Sequence, residues 1–170
     1  MTILKGMECD ILKDGQMDLS DTALAKLDIV GGSVHSHFNL SSKEQTARVI
    51  RAMENPHVDI IFHLTGRLIN KRAGIELLID AIIDMAKKTG TILEIDASPD
   101  RLDIRDEVIR KCVEKKVMMS IDSDAHAIEH FEFLHFGIGQ ARRGGAPKNL
   151  IINTYPVQKM LSFLKGKRKR

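Results

Sequence analysis

The chain has 170 residues, 43% hydrophobic and 29% charged, which is enough apolar content to fill the core of one domain of middling size. No apolar run approaches the length of a bilayer span, and the start Met1-Thr2-Ile3-Leu4-Lys5 lacks the form of a signal peptide, so a membrane role is excluded and a cytoplasmic protein is expected. Two isolated cysteines, Cys9 and Cys112, cannot build a disulfide framework and agree with a reducing compartment.

The net charge of +3 is local: Lys165, Lys167, Arg168, Lys169 and Arg170 crowd the last six positions, and without these five the remainder carries −2. Residues 1–164 therefore read as the domain and 165–170 as a basic tail. The tail is suited to touching phosphates, or is simply a solvated end.

In chain order, Gly6-Met7-Glu8-Cys9-Asp10-Ile11-Leu12 reads as a strand leading into an Asp14-Gly15 turn and a small hairpin or its remnant. A second strand spans 27–34, and its paired Gly31-Gly32 reads as relaxed constraint. Ser42 with Gln45 forms a capping-box pattern before a helix bearing Val49, Ile50 and Met53, ended by Asn55-Pro56. The run 58–62 is a third strand. Ile75, Leu78, Ile79, Ile82, Met85 and Ala86 form the stripe of a longer helix with Gly90 at its C-terminal cap.

A strand over 91–95 precedes a helix carrying Ile104, Val108, Ile109, Cys112 and Val113, and a strand over 117–121 follows. A further helix through Phe131 and Leu134 reaches Ala141-Arg142-Arg143-Gly144-Gly145. Leu150-Ile151-Ile152 reads as a last strand, and Thr154 as the cap of a terminal helix with Pro156 in its first turn. Such alternation predicts an α/β fold with mainly parallel strands and flanking helices, part of a barrel or an open sheet.

Glu8, His35, His63, Asp124 and His126 all fall at or after the downstream ends of these strands, where an α/β fold gathers its chemistry. Imidazoles and carboxylates are the usual ligands of manganese, zinc and iron, and one Glu with two His holds a metal while leaving room for water. Asp124 and His126 share one face of an extended segment, as does Asp122. The pattern points to metal-assisted hydrolysis of a phosphoester. Arg67 is placed to clamp a phosphate or to meet a surface acid, and Arg142 and Arg143 to approach a nucleic-acid backbone or to end a solvated helix. His37, His57, His130 and His135 read as ordinary.

Taken together, Gly6-Met7-Glu8-Cys9-Asp10-Ile11, Ser33-Val34-His35-Ser36, His63-Leu64-Thr65-Gly66-Arg67-Leu68, Leu93-Glu94-Ile95, Asp124-Ala125-His126 and 136–144 (Phe-Gly-Ile-Gly-Gln-Ala-Arg-Arg-Gly) resemble the PHP (polymerase and histidinol phosphatase) domain, in the version attached to bacterial and archaeal family X DNA polymerases. The resemblance covers nearly the whole chain. It implies a partial (β/α)7 TIM-like barrel and one to three divalent metals, with Glu8 as the bridging catalytic carboxylate, His35 and His63 as its partners, and Asp124 and His126 serving neighbouring metals. Manganese-dependent 3′-to-5′ exonuclease and 3′-end-processing phosphoesterase action on DNA is the implied activity, with Glu8, Asp124 and Arg67 as catalytic residues.

The family opens with a His-x-His strand, and no His precedes His35 here. The reading expects a truncated or split polymerase part whose open sheet edge and apolar interior need cover, from a missing N-terminal half or by self-association. Two alternatives stand beside it: a non-catalytic DNA- or partner-binding remnant of the fold, and a small-metabolite phosphatase of the histidinol-phosphatase branch.

Overall fold

A computed structural model describes residues 2–167. Five parallel strands lie side by side in chain order: β1 (Gly6–Asp10), β2 (Ile29–Ser33), β3 (Ile60–Ile61), β4 (Ile92–Asp96) and β5 (Met119–Asp122). Parallel neighbours require crossovers, supplied by α1 (Asp21–Leu24), α2 (Ser42–Glu54), α3 (Ile79–Thr89) and α4 (Asp106–Lys115). After β5 come α5 (Leu134–Arg143) and α6 (Val157–Lys167). The sheet is open, in keeping with part of a TIM-like barrel. No helix among the described residues is long and apolar enough to cross a membrane.

The main core lies between the sheet and α2 to α4, around Val30, Val49, Met53, Ile61, Ile83, Leu93, Ile95 and Ile109. The free thiols Cys9 and Cys112 are buried in it. On the other face Ile60, Ile92, Ile152 and Leu164 form a second cluster with Met160 and Phe163 packed against it. Helix α6 therefore covers the apolar interior that an unclosed barrel was expected to expose. Lys167, only 5% exposed, closes this contact by donating to the Asn55 and Val58 carbonyls. Lys165 and Lys167 continue α6, and the rest of the basic tail, Arg168 to Arg170, lies outside the described residues.

Several local patterns differ from the sequence reading for physical reasons. The capping box is Ser41 with Glu44, one residue earlier than Ser42 with Gln45. Ser41 is the residue still in extended backbone, so its hydroxyl meets the Glu44 N–H while Glu44 accepts from the Ser41 N–H at 2.9 Å. Gln45 turns inward and donates to the His37 carbonyl. Helix α3 starts at Ile79, not Ile75, because the Leu78 N–H is taken by Thr46 Oγ1. Gly90 does stand in the left-handed cap conformation, at φ 77°.

The stretch containing Phe131 is a 3-10 helix (Ile128–Phe133) ahead of α5, and Phe131 is exposed. The expected last strand is replaced by two 3-10 turns with a single parallel bridge, Met119 to Ile151. Asn153 does the pairing instead: its side chain accepts from the Ile121 N–H at 2.8 Å and donates to the Ile121 carbonyl at 2.9 Å. Thr154 does not cap α6, because its hydroxyl is directed back to the Lys148 and Ile151 carbonyls. Gly31 marks tight packing rather than relaxation, since a Cβ there would sit 1.9 Å from the Phe62 ring. The hairpin remnant after β1 is real, an antiparallel bridge from Ile11 to Met17 with Gly15 at positive φ.

Candidate metal centre

The downstream ends of the five strands line up along one edge of the sheet, so residues distant in sequence meet there. Glu8 projects from the middle of β1. His35 follows β2 by two residues, and His63 follows β3 by two. Ligand atoms of these three side chains all lie within 4.8 Å of one another. His63 Nε2 is 2.9 Å and His35 Nε2 3.4 Å from the same oxygen, Glu8 Oε1.

Each of the three is oriented from behind. Ser33, the last residue of β2, donates its hydroxyl to Glu8 Oε1 at 2.6 Å. Asp10 Oδ1 lies 2.6 Å from His35 Nδ1, which leaves Nε2 to face Glu8, the carboxylate-to-imidazole support typical of metal-binding histidines. The His63 backbone N–H donates to Glu94, and two residues on, the Thr65 N–H and hydroxyl both donate to Asp103 Oδ2 at 2.8 Å. His63 is 3% exposed, and its Nδ1 is buried without a hydrogen-bond partner among the described residues.

The loops themselves are held by Arg48 of α2. This guanidinium, 2% exposed, donates to the Ile11, Leu12 and Ser36 carbonyls and so ties the exit of β1 to the residue after His35. Electrostatically the three ligand-type groups balance each other. His35 and then His63 hold the Glu8 carboxyl well below the usual carboxylate range, and Glu8 with Asp10 pushes His35 up to about 9.

The β4 and β5 side is different. Glu8 and His63 share a cavity of about 270 Å³ with Glu94, Asp122 and Asp124. Burial raises Glu94 well above its ordinary value, and Asp122 adds to the effect; burial likewise raises Asp122, and lifts Asp96 to about 7. Arg101 stands between Asp96 and Asp124, its Nε 3.4 Å from one and 3.5 Å from the other.

The structure thus brings Glu8, His35 and His63 into one cluster and sets Asp124 on the wall of the same cavity. His126 is turned outward, 75% exposed, with Nδ1 on the Asp124 backbone carbonyl at 2.7 Å. Arg67 does not line this cavity: its Nε and Nη2 donate to the Arg101 and Leu102 carbonyls. Arg142 and Arg143 are exposed in the last turn of α5.

Sequence reasoning quoted Asp10, Ser33 and Glu94 only as parts of motifs and gave no role to them or to Arg48, Asp96 and Arg101. A signal existed for two of them. A strand buried on both faces is normally apolar throughout, so acids at alternate positions 94 and 96 of the run 92–96 mark a functional face.

The donor set fits a divalent metal. Two imidazoles and a carboxylate converge, one imidazole is backed by Asp10, and a buried ring nitrogen of the other has no hydrogen-bond partner among the described residues.

No family model matches the chain. It is 45% identical, over 96% of its length, to the DNA polymerase/3'-5' exonuclease PolX of Bacillus subtilis, and spans 29% of that protein. Over 99% of its length it is 31% identical to a probable phosphatase of Caldanaerobacter subterraneus subsp. tengcongensis, of which it covers 67%. A probable phosphatase of Thermoanaerobacter sp. is 30% identical over 99% of the chain, which covers 70% of it. With the open parallel sheet and the motif order along it, these likenesses establish that the chain belongs to the PHP family.

Proposed function

We propose that the chain is a divalent-metal-dependent phosphoesterase acting on DNA 3′ ends, as a 3′-to-5′ exonuclease or 3′-phosphatase in DNA repair in the cytoplasm. The observation that carries this reading is the convergence of Glu8, His35 and His63 within 4.8 Å. These three would hold one metal, manganese, zinc or iron, and Asp124, with His126 once its imidazole turned in from solvent, would serve neighbouring ones, so that one to three ions would be bound. A metal held there would supply positive charge against a phosphate oxygen and lower the pKa of a water so that hydroxide is available near neutral pH.

The chain's own residues do the rest. Ser33 fixes the carboxylate plane of Glu8, Asp10 fixes the tautomer of His35, and Phe62 and Phe131 bound the cavity on its apolar side. Asp124 carries the acidic wall where the leaving group departs, and Arg142 and Arg143 offer exposed cations to the nucleic-acid backbone. Among the described residues β1 has a sheet neighbour on one side only, and Met7 on it is 49% exposed. That edge takes a further strand, from the N-terminal half of a polymerase-type barrel or from a second copy.

A second reading, hydrolysis of a small phosphomonoester, is favoured by the probable phosphatases of which the chain covers about two thirds. Turnover with added manganese on a 3′-ended oligonucleotide and on a small aryl phosphate separates the two. Glu8→Gln is expected to lower turnover on the oligonucleotide on the order of 100-fold or more. A Glu8→Gln chain as active as its parent would leave the centre without a catalytic role.

A further inference from the structure

Beside the metal centre, between the loop that follows β3 and the loop that follows β4, lies a cavity of about 450 Å³. Four cations line it, Arg67, Lys71, Arg72 and Arg105, and no acidic side chain does. Lys71 is paired at its outer rim with Asp100, 3.0 Å away, and both are mostly exposed. Arg72 donates from Nε and Nη2 to the Gly66 carbonyl and lies over the Phe38 ring, so its charge is fixed in place without being neutralised. Arg105 is exposed, and among the described residues its side chain makes no hydrogen bond or ion pair.

Burial holds Arg67 below its usual range, Asp103 and Asp96 oppose this, and Arg105 pushes the same way as burial. Arg67 and Arg105 line one cavity that carries no acidic side chain, so an anion bound there meets cations from two loops. The volume accommodates a phosphate with its sugar. The cavity is also tied to the metal centre: Arg67 binds the carbonyl of Arg101, and the Arg101 side chain reaches Asp124 on the wall of the Glu8 cavity. Both cavities open where β3 and β4 run out into their loops.

We propose that this basic cavity is a second phosphate site, taking a backbone phosphodiester of the DNA strand whose 3′ end lies at the Glu8 centre. The proposal rests on the reading of that centre as one acting on DNA 3′ ends. Phosphate contacts of this kind set the register of a strand without reading its bases, so the cavity holds DNA of any sequence. Arg105 is the cation available to the ligand, and Arg67 and Arg72 form the fixed floor.

Binding of a labelled single-stranded oligonucleotide to the whole chain, followed by fluorescence anisotropy in EDTA, removes any contribution of bound metal. Arg105→Glu is expected to bind about tenfold more weakly than the parent, with the slope of log affinity against log salt reduced by about 1. Arg105→Gln is expected to show a smaller loss in the same direction. Lys88→Glu, an equal charge change on an exposed position of the last turn of α3, serves as the comparison and is expected to stay within about twofold.

Equal binding by Arg105→Glu and Lys88→Glu would overturn the proposal while leaving the metal centre untouched. Absence of DNA binding by the parent, with manganese-dependent hydrolysis of a small aryl phosphate intact, would overturn both the proposal and the DNA reading of the centre. Weak binding by Arg105→Glu together with full turnover by Glu8→Gln would keep the cavity as a DNA-backbone site and overturn the placement of the 3′ end at the Glu8 centre.

Discussion

The two halves of the centre sit on one sheet and reach a common cavity, but their charges are balanced in opposite ways. On the β1 to β3 side, the Glu8 carboxylate lies against the His35 and His63 rings, and Ser33, Asp10 and Arg48 hold the three from behind. On the β4 to β5 side, Glu94, Asp96, Asp122 and Asp124 crowd together with Arg101 as the cation placed between two of them. One half is preorganised without any ion. In the other, burial keeps carboxyl groups protonated to pH values where carboxylates are normally charged. The lesson is that the two halves answer differently to mutation and pH: the first depends on groups that hold its side chains in place, the second on the protonation of buried carboxyl groups.

The largest expected effect lies in the support of the first half. Arg48→Met leaves the Ile11, Leu12 and Ser36 carbonyls without their buried donor, and a loss of about 3 kcal/mol in stability is expected, read as a fall of about 10 °C in thermal midpoint. A melt unchanged from the parent would show that the loops are held by something else. Asp10→Asn keeps the shape but withdraws the charge behind His35, and is expected to weaken metal affinity about 10- to 100-fold with little change in melting. Equal affinity for Asn and Asp at this position would remove the support assigned to Asp10.

The second half predicts the smallest effect, and one of opposite sign. Because burial raises Asp96 to about 7 from an ordinary 3.8, its protonated form contributes stability that is full below that ordinary value and is lost as pH rises through about 7. Asp96→Asn mimics the protonated form. In EDTA it is expected to match the parent at pH 4 and to exceed it at pH 8 by on the order of 2 kcal/mol, checked by denaturant unfolding at both pH values. Glu8 carries the reverse dependence. Its carboxyl is depressed, so its contribution is present above its ordinary 4.5 and is lost as pH falls.

What the sequence showed and what it hid do not divide between the two halves. His35 and His63 were visible because each stands just beyond a short apolar strand, and Glu8 as a carboxylate inside the first strand; parallel pairing brings the three together. Arg48 was invisible: a lone arginine on an amphipathic helix reads as a solvated charge, and its carbonyl partners lie up to 37 residues away. The run 150–152 had the composition of a strand. The Asn153 side chain takes over the hydrogen bonds of Ile121 that a sixth strand would have made, which periodicity cannot reveal. His126 shares a face with Asp124 in an extended chain, but Asp124 has φ 46°, and the turn sends the imidazole to solvent.

The central claim is that Glu8, His35 and His63 form a working metal centre. Elemental analysis of the purified chain, joined to calorimetric titration of the metal-free chain with manganese and with zinc, tests it most directly. At least one tightly held ion per chain is expected, with binding lost or strongly weakened in His35→Ala and His63→Ala while the fold is retained. A chain that takes up neither metal, or that binds them equally well after both substitutions, would contradict the account.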